Sequence, residues 1–338
     1  KVLITGISGW IAQFCAVELI KEGYFVRGSL RSMQRQQEVI EALSKEVDTT
    51  NNLEFCELDL TKDNGWDKAM TDCCYVLHVA SPFVINEPKH ESELIKPAVE
   101  GTLRALKAAK KANVKRVVLT SSIVAMFAHL KKGIFTPKTW TEINGKNKIN
   151  SYQKSKTLAE KAAWEFIRNQ DQTNPLELTV INPGAVLGPT LSKDISGASL
   201  GICAQLLTAK MPGIPNLNIP MVDVRDVAKH HLKAMTLPEA NNKRFISAFA
   251  KSTPFLTFAK TLKENGYSKV PTRKVPTLLL KFLSLFDSEA KGMVPLLDSN
   301  VSCDNSETIE LLNWKNPIPL EKTFLDMAKS VQTILDSH

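Results

Sequence analysis

The feature that most restricts the fold is a rhythm. Through the first half of the chain, apolar runs of strand length alternate with segments of helical period. "KVLIT" reads as a buried strand and "IAQFCAVELIKEG" as a helix closed by Gly23. "YFVRGSL", "LEFCELDL", "YVLHVAS", "KRVVLTSS" and "LELTVINPG" read as further strands. Between them, "SMQRQQEVIEALSKEV", "WDKAMTDC", "ESELIKPAVEGTLRALKAAKKAN" and "YQKSKTLAEKAAWEFIRNQ" read as helices. The near-continuous apolar character of "RVVLTSS" and "YVLHVAS" implies burial on both faces. The expected fold class is α/β, a doubly wound parallel sheet covered by helices on both sides.

After Asn182 the rhythm loosens. "PGAVLGPTLSKDISGAS" is rich in Gly, Pro and Ser, and "MPGIPNLNIP" carries three prolines. "VDVRDVAKHHLKAM", "PTRKVPTLLLKFLSLF" and "EKTFLDMAKSVQTIL" read as helices. Residues 1–182 are expected to form the sheet domain, with contributions from about 215–250. Residues 183–338 are expected to form a smaller, mixed region on the substrate side of a cleft.

Composition narrows the function. With 43% hydrophobic residues in 338, the chain has ample material for a core and does not read as disordered. The net charge of +8 has no dense basic block, and "KAAKKANVKR" reads as one helix face and a loop, so no nucleic-acid partner is expected. Cys15, Cys56, Cys73, Cys74, Cys203 and Cys303 show no CxxC spacing. Free thiols in a reducing compartment are expected, with no metal site. The segment "VPTLLLKFLSLF" is too short to span a bilayer and is broken by Lys281. No membrane partner and a cytoplasmic location are expected. Lys1 opens inside a strand pattern, so a few residues are expected to precede it.

The first strand-to-helix turn reads "TGISGWIA". Gly6 and Gly9 permit a tight turn and a close approach of backbone to a pyrophosphate, and Ala12 lets the helix pack on the sheet. Amides at the helix start, around Ser8, Trp10 and Ile11, then face the phosphates. The spacing G-x-x-G-x-x-A is a variant of the usual dinucleotide fingerprint. An NAD-preferring site places an acidic residue after the second strand. Here no Asp or Glu lies between Glu22 and Glu38, whereas Arg27, Arg31 and Arg35 do. A guanidinium at Arg31, with Arg35 nearby, suits a 2′-phosphate, so NADP is the expected cofactor, NADPH over NADH. Asp59 and Leu60, ending the third strand, are placed to hold the adenine.

"YQKSK" puts Tyr152 and Lys156 four residues apart on one helix face, and "TSS" ends the fifth strand on the edge where such sheets bind ligands. A carbonyl that accepts a hydride becomes an alkoxide and needs a proton. Tyr152 can give it, Lys156 is expected to lower the phenol's pKa from its usual value near ~10, and Ser122 can hydrogen-bond the substrate oxygen.

With these motifs, the chain resembles the extended short-chain dehydrogenases/reductases, and within them the dihydroflavonol reductase-like branch that includes aldehyde and methylglyoxal reductases. The likeness rests on "TGISGWIA", "VRGSLR", "LDL", "HVASPF", "PAVEGTLRALKAA", "RVVLTSS", "YQKSKTLAEKAAW", "INPGAVLGP" and "VDVRDVAKHHL", and runs over nearly the whole chain. It implies a Rossmann-type sheet, NADPH, and reduction of a small aldehyde or ketone to an alcohol. It implies Ser122, Tyr152 and Lys156 as catalytic residues and Arg31 as the 2′-phosphate ligand. Val79, Ala80 and Ser81 would line the cofactor, with Pro183, Gly184, Ala185 and Val186 beside the nicotinamide; Ser121 and Ser199 are further cofactor-binding candidates. "SSIVAMFAH" departs from the family by lacking small residues after the serines, which bears on the substrate pocket.

Phe83, Ile123, Met126 and Phe127 are candidate pocket residues, with Val84 and Ile85 beside them. His78 reads as a packed core residue, and His230 and His231 as solvent-exposed. Asp223 and Asp226 read as a helix start with an ion pair to Arg225. Two other functions fit the same scaffold: an NAD(P)-dependent epimerase or hydroxysteroid-type dehydrogenase, and a non-catalytic NADP(H)-sensing regulator. The first lacks an evident arginine set for a nucleotide diphosphate in "LSKDISGAS", and the second commonly lacks the Tyr–Lys pair that this chain keeps. A monomer or homodimer is expected.

Overall fold

The structure, a computed structural model, describes residues 1–82, 87–146, 149–286 and 294–337. Along the chain run β1 (Val2–Ile4), α1 (Trp10–Lys21), β2 (Val26–Leu30), α2 (Gln36–Leu43), β3 (Leu53–Glu57), α3 (Trp66–Met70), β4 (Tyr75–His78), α4 (Ser92–Lys111), β5 (Arg116–Thr120) and α5 (Val124–Phe127). Then follow β6 (Lys132–Phe135), α6 (Ser151–Asn169), β7 (Glu177–Pro183), β8 (Ala185–Leu187), α7 (Ala198–Leu207), β9 (Asn218–Ile219), β10 (Met221–Asp223), α8 (Val224–Thr236) and β11 (Arg244–Ser247). The remainder comprises β12 (Thr253–Pro254), α9 (Phe255–Glu264), α10 (Thr277–Leu283), β13 (Asn300–Cys303) and two last helices, Ser306–Leu311 and Leu320–Leu335.

Seven strands form one sheet in the order β3-β2-β1-β4-β5-β7-β11, and every neighbouring pair is parallel. The chain winds outward from β1 in one direction and from β4 in the other. That reversal opens a crevice at the carboxyl edge between β1 and β4, where ligands of such sheets bind. Helices α1, α2 and α8 bury Phe14, Val17, Leu19, Val39 and Met235 on one face of the sheet. Helices α3, α4 and α6 bury Trp66, Met70, Leu106, Ala109 and Ile167 on the other. A separate core of Leu200, Cys203, Phe258, Leu262, Phe324 and Met327 joins α7, α9 and the last helix over the crevice. Among the described residues, no helix is long and apolar enough to cross a membrane.

The seventh strand, β11, falls in the stretch whose pattern looked mixed. Val222 and Asp223, expected to begin a helix, instead belong to β10, which pairs with β8. Helix α8 starts after it, where Asp223 caps the helix through the Arg225 amide and pairs with the Arg225 guanidinium at 2.7 Å. His230 and His231 are buried rather than exposed, because α8 lays this face against the sheet. His230 Nδ1 meets Ser247 Oγ at 2.8 Å. His231 Nδ1 donates to the Val227 carbonyl, which leaves Nε2 to accept from Thr120 Oγ1 at 2.7 Å. Burial drives both imidazoles neutral, to about 3 and about 4 respectively.

Arg116, 1% exposed, stitches β5 to α8. Its guanidinium pairs with Glu177 at 2.6 Å and donates to the carbonyls of Ala234, Met235 and Leu237 at the end of α8. Replacing it with an apolar chain leaves those acceptors buried without donors. Arg116→Met is expected to lower the unfolding free energy by about 3 kcal/mol in urea titrations. A loss of only a few tenths of that would contradict the role assigned to the stitch.

Candidate active site

The turn after β1 sets the geometry of the crevice. Gly6 adopts φ +66°, and a Cβ there would stand 2.9 Å from the Ala80 Cβ. Gly9 begins α1 with no side-chain cap, so the first amides of the helix have no partner within the helix or from a capping side chain. Ser8, Gly9, Trp10 and Ile11 line a cavity of about 540 Å³. The unpartnered amides at the start of α1, with no Cβ in the way at the turn, fit a pyrophosphate. Thr5 locks the neighbouring segment: its hydroxyl accepts from the Ala80 amide and donates to His78 Nδ1, both at 3.0 Å. His78 is indeed a buried core residue, held neutral near about 3 chiefly by desolvation. Val79, Ala80 and Ser81 therefore run half-buried beside the glycine turn.

Arg31 stands exposed just past β2 and faces Asp59, whose carboxyl is held below its usual range by the Thr61 amide and hydroxyl, with smaller help from Lys62 and Arg31. Arg35 reaches across the groove. It pairs with Glu38 at 2.9 Å, donates to Ser8 Oγ at 3.2 Å and approaches Asp194 at 3.6 Å. Leu60 lies under α4, beside Gly101.

Helix α6 brings in Tyr152 and Lys156. Asn150 caps it in a reciprocal box with Gln153, which fixes Tyr152 in the first turn. Glu87 adds a second clamp by accepting from the Ser151 hydroxyl at 2.5 Å. Tyr152 is hydrogen-bonded to Ser122, and both line the cavity that contains the glycine turn. Lys156 lies one turn on, 8% exposed, with Nζ donating to the Thr120 carbonyl at 3.3 Å. Burial pushes Lys156 down to about 8, opposed by the charge of Glu160. Tyr152 differs from expectation: its pKa is raised, because enclosure disfavours the phenolate more than the Ser122 hydrogen bond favours it.

Gly184, Ala185, Val186 and Ser199 line the same cavity, while Pro183 ends β7 and accepts from the Ile123 amide at 3.0 Å. Of the pocket candidates, Ile123 is on the wall. Met126 and Phe127 are not; they are 0% and 2% exposed and pack in the core behind α5, with Phe127 stacked on Phe135. They follow the wall residues by one helical turn, and α5 turns them inward. Phe83, Val84 and Ile85 lie outside the described residues. Ser121 is buried and its hydroxyl points to Glu160 at 2.5 Å. Further apolar wall residues, which the sequence did not single out, are Val124, Ile202, Leu217, Ile219, Met221 and Phe255. Leu217 lies in a loop, Ile219 and Met221 in strands of two and three residues, and Val124, Ile202 and Phe255 in helices, so no one periodic pattern marks them as a set.

A doubly wound parallel sheet, a glycine turn at its switch point and a Ser–Tyr–Lys set on the opposite lip define an extended short-chain dehydrogenase/reductase. The chain belongs to the NAD dependent epimerase/dehydratase family, whose pattern matches residues 2–247. It is 35% identical over 273 residues to the NADPH-dependent methylglyoxal reductase GRE2 of Saccharomyces cerevisiae, covering 75% of this chain and 79% of that protein. It is 31% identical over 290 residues to an anthocyanidin reductase of Vitis vinifera, covering 81% and 82%. The structure of yeast methylglyoxal/isovaleraldehyde reductase Gre2 complexed with NADPH superposes with a TM-score of 0.80 at 28% identity, over 100% of this chain and 99% of that one.

Gly6→Val tests the turn. The side chain meets Ala80 and the backbone is strained at positive φ. NADPH affinity by fluorescence titration is expected to fall at least about tenfold. Unchanged affinity would contradict the assignment of this turn to the phosphates.

Proposed function

We propose that Ser122, Tyr152 and Lys156 carry the reduction of a carbonyl at the apolar end of this cavity. The chain is an NADPH-dependent oxidoreductase that reduces an aldehyde or ketone to an alcohol. The observation that carries the residue roles is the continuity of one cavity from the amino end of α1 to the Tyr152–Ser122 pair. The names of its relatives agree, since both the yeast and the grapevine proteins are reductases and the yeast protein uses NADPH.

The residues present fit the cofactor: Gly6, Gly9 and the first amides of α1 for the pyrophosphate, Arg31 and Arg35 for the 2′-phosphate, and Gly184 to Val186 beside the reacting half. Bound there, NADPH supplies the hydride. The chain's own groups handle the charge that develops on the substrate oxygen. The Ser122 hydroxyl hydrogen-bonds that oxygen, and Tyr152 Oη delivers a proton to it. The Lys156 ammonium, held against the Thr120 carbonyl in a dry site, stabilises the phenolate left behind. The wall at the apolar end, Ile123, Val124, Leu217, Ile219, Met221 and Phe255, includes no arginine or lysine, which suits an uncharged carbonyl compound better than a nucleotide sugar. Residues 183–338 supply most of the substrate side.

Tyr152→Phe is expected to lower kcat about a thousandfold, with NADPH binding retained. Arg31→Ala is expected to weaken NADPH at least about tenfold and to leave NADH nearly unchanged. Equal losses for the two cofactors would reject the 2′-phosphate role. Because reduction needs the protonated form of the pair, kcat/KM for reduction is expected to decline as pH rises through about 8, the value to which Lys156 is pushed. A profile flat to pH 10 would contradict this.

A further inference from the structure

The mechanism leaves one buried carboxylate unused. Glu160 lies on α6 one turn past Lys156 and is 1% exposed. Its Oε1 accepts from Arg244 Nε at 2.5 Å and from Trp164 Nε1 at 3.2 Å. Its Oε2 accepts from Ser121 Oγ at 2.5 Å and from Asn182 Nδ2 at 2.8 Å. Asn182 Nδ2 also donates to the Ser122 carbonyl at 3.1 Å. Arg244 is itself fixed: Nη1 donates to the Pro137 and Thr139 carbonyls, and the guanidinium stacks 3.7 Å over the Trp140 ring. One carboxylate therefore ties α6 to the ends of β5 and β7 and to the start of β11. A buried charge is tolerated only when its lone pairs are used, and four donors use these.

We propose that Glu160 is a positioning residue for the reduction: it fixes the Ser121–Ser122 backbone through Ser121 and Asn182, and it supplies the counter-charge that keeps Lys156 an ammonium. The inference rests on the catalytic reading of Ser122, Tyr152 and Lys156 given above. The ionisable groups set against the pair are Tyr152 on the same helix, His78 on β4 and, across Glu160, Arg244 on β11. His78 is neutral, and Arg244 is committed to Glu160, so Glu160 is the group that favours the charged form of Lys156.

Two variants separate the two roles. Glu160→Gln keeps the shape and removes the charge. The alkaline limb of kcat/KM for a small aldehyde is expected to move down by about one pH unit, because loss of the anion makes Lys156 easier to deprotonate. An unmoved limb overturns the counter-charge role. Glu160→Asp keeps the charge but shortens the reach and guards against a Gln variant that fails to fold. Its limb is expected to stay in place while kcat falls about tenfold and NADPH binding, followed by fluorescence, changes by less than about twofold. A kcat equal to the parent's, or a parallel loss of NADPH binding, overturns the positioning role. Tyr152→Phe is assayed alongside. If it retains the parent rate, the catalytic reading fails and this proposal with it; if it is inactive while both Glu160 results are negative, only the proposal for Glu160 fails.

Discussion

The proposed chemistry depends on an ammonium group kept out of water. Lys156 is enclosed by α6, the end of β5 and the floor of the crevice, with the Thr120 carbonyl as its hydrogen-bond acceptor. Desolvation makes the charged form expensive, and in the proposed mechanism the same low dielectric lets that charge act on a Tyr152 phenolate one helical turn away. A lysine in water would exert a small fraction of this influence. The Tyr152 phenol shares the enclosure, which raises its pKa and, in the proposed mechanism, keeps its proton in place until charge develops on a substrate oxygen.

The fold supplies this environment as a by-product of its winding. Parallel strands deliver their carboxyl ends to one edge, and the reversal between β1 and β4 parts the crossovers above that edge. The first crossover offers backbone amides, and the fifth strand ends in two serines. Ser122 faces the cavity and Ser121 faces inward to Glu160. The last parallel strand, β11, contributes no cavity residue, yet its Arg244 holds the Glu160 carboxylate of α6. The apolar core of α7, α9 and the last helix closes the far side.

Much of this was legible in the sequence because it is written in local patterns. Apolar strand runs, the glycine spacing after Ile4 and the four-residue step from Tyr152 to Lys156 are all short-range signals. What escaped depends on long-range packing. "RFIS" is too short, and too polar at its ends, to announce the edge strand beside β7. His230 and His231 look like surface residues beside Lys229 and Lys233, but the packing of α8 on β5 and β11 buries their face. Met126 and Phe127 follow pocket residues in sequence and turn into the core with α5. Glu160 continues the Tyr152–Lys156 stripe at the same spacing, a signal present in the sequence; its meaning appears only when Arg244, Ser121 and Asn182 converge on it from three strands.

The most direct measurement is the titration of Lys156 itself, followed by NMR of 13Cε-labelled lysine and assigned with Lys156→Met. The account predicts a resonance that titrates near pH 8, shifted by burial far below the ordinary lysine range. A Lys156 signal that titrates at or above 10.5 would mean a solvated amine, and the enclosed ammonium on which the chemistry rests would not exist.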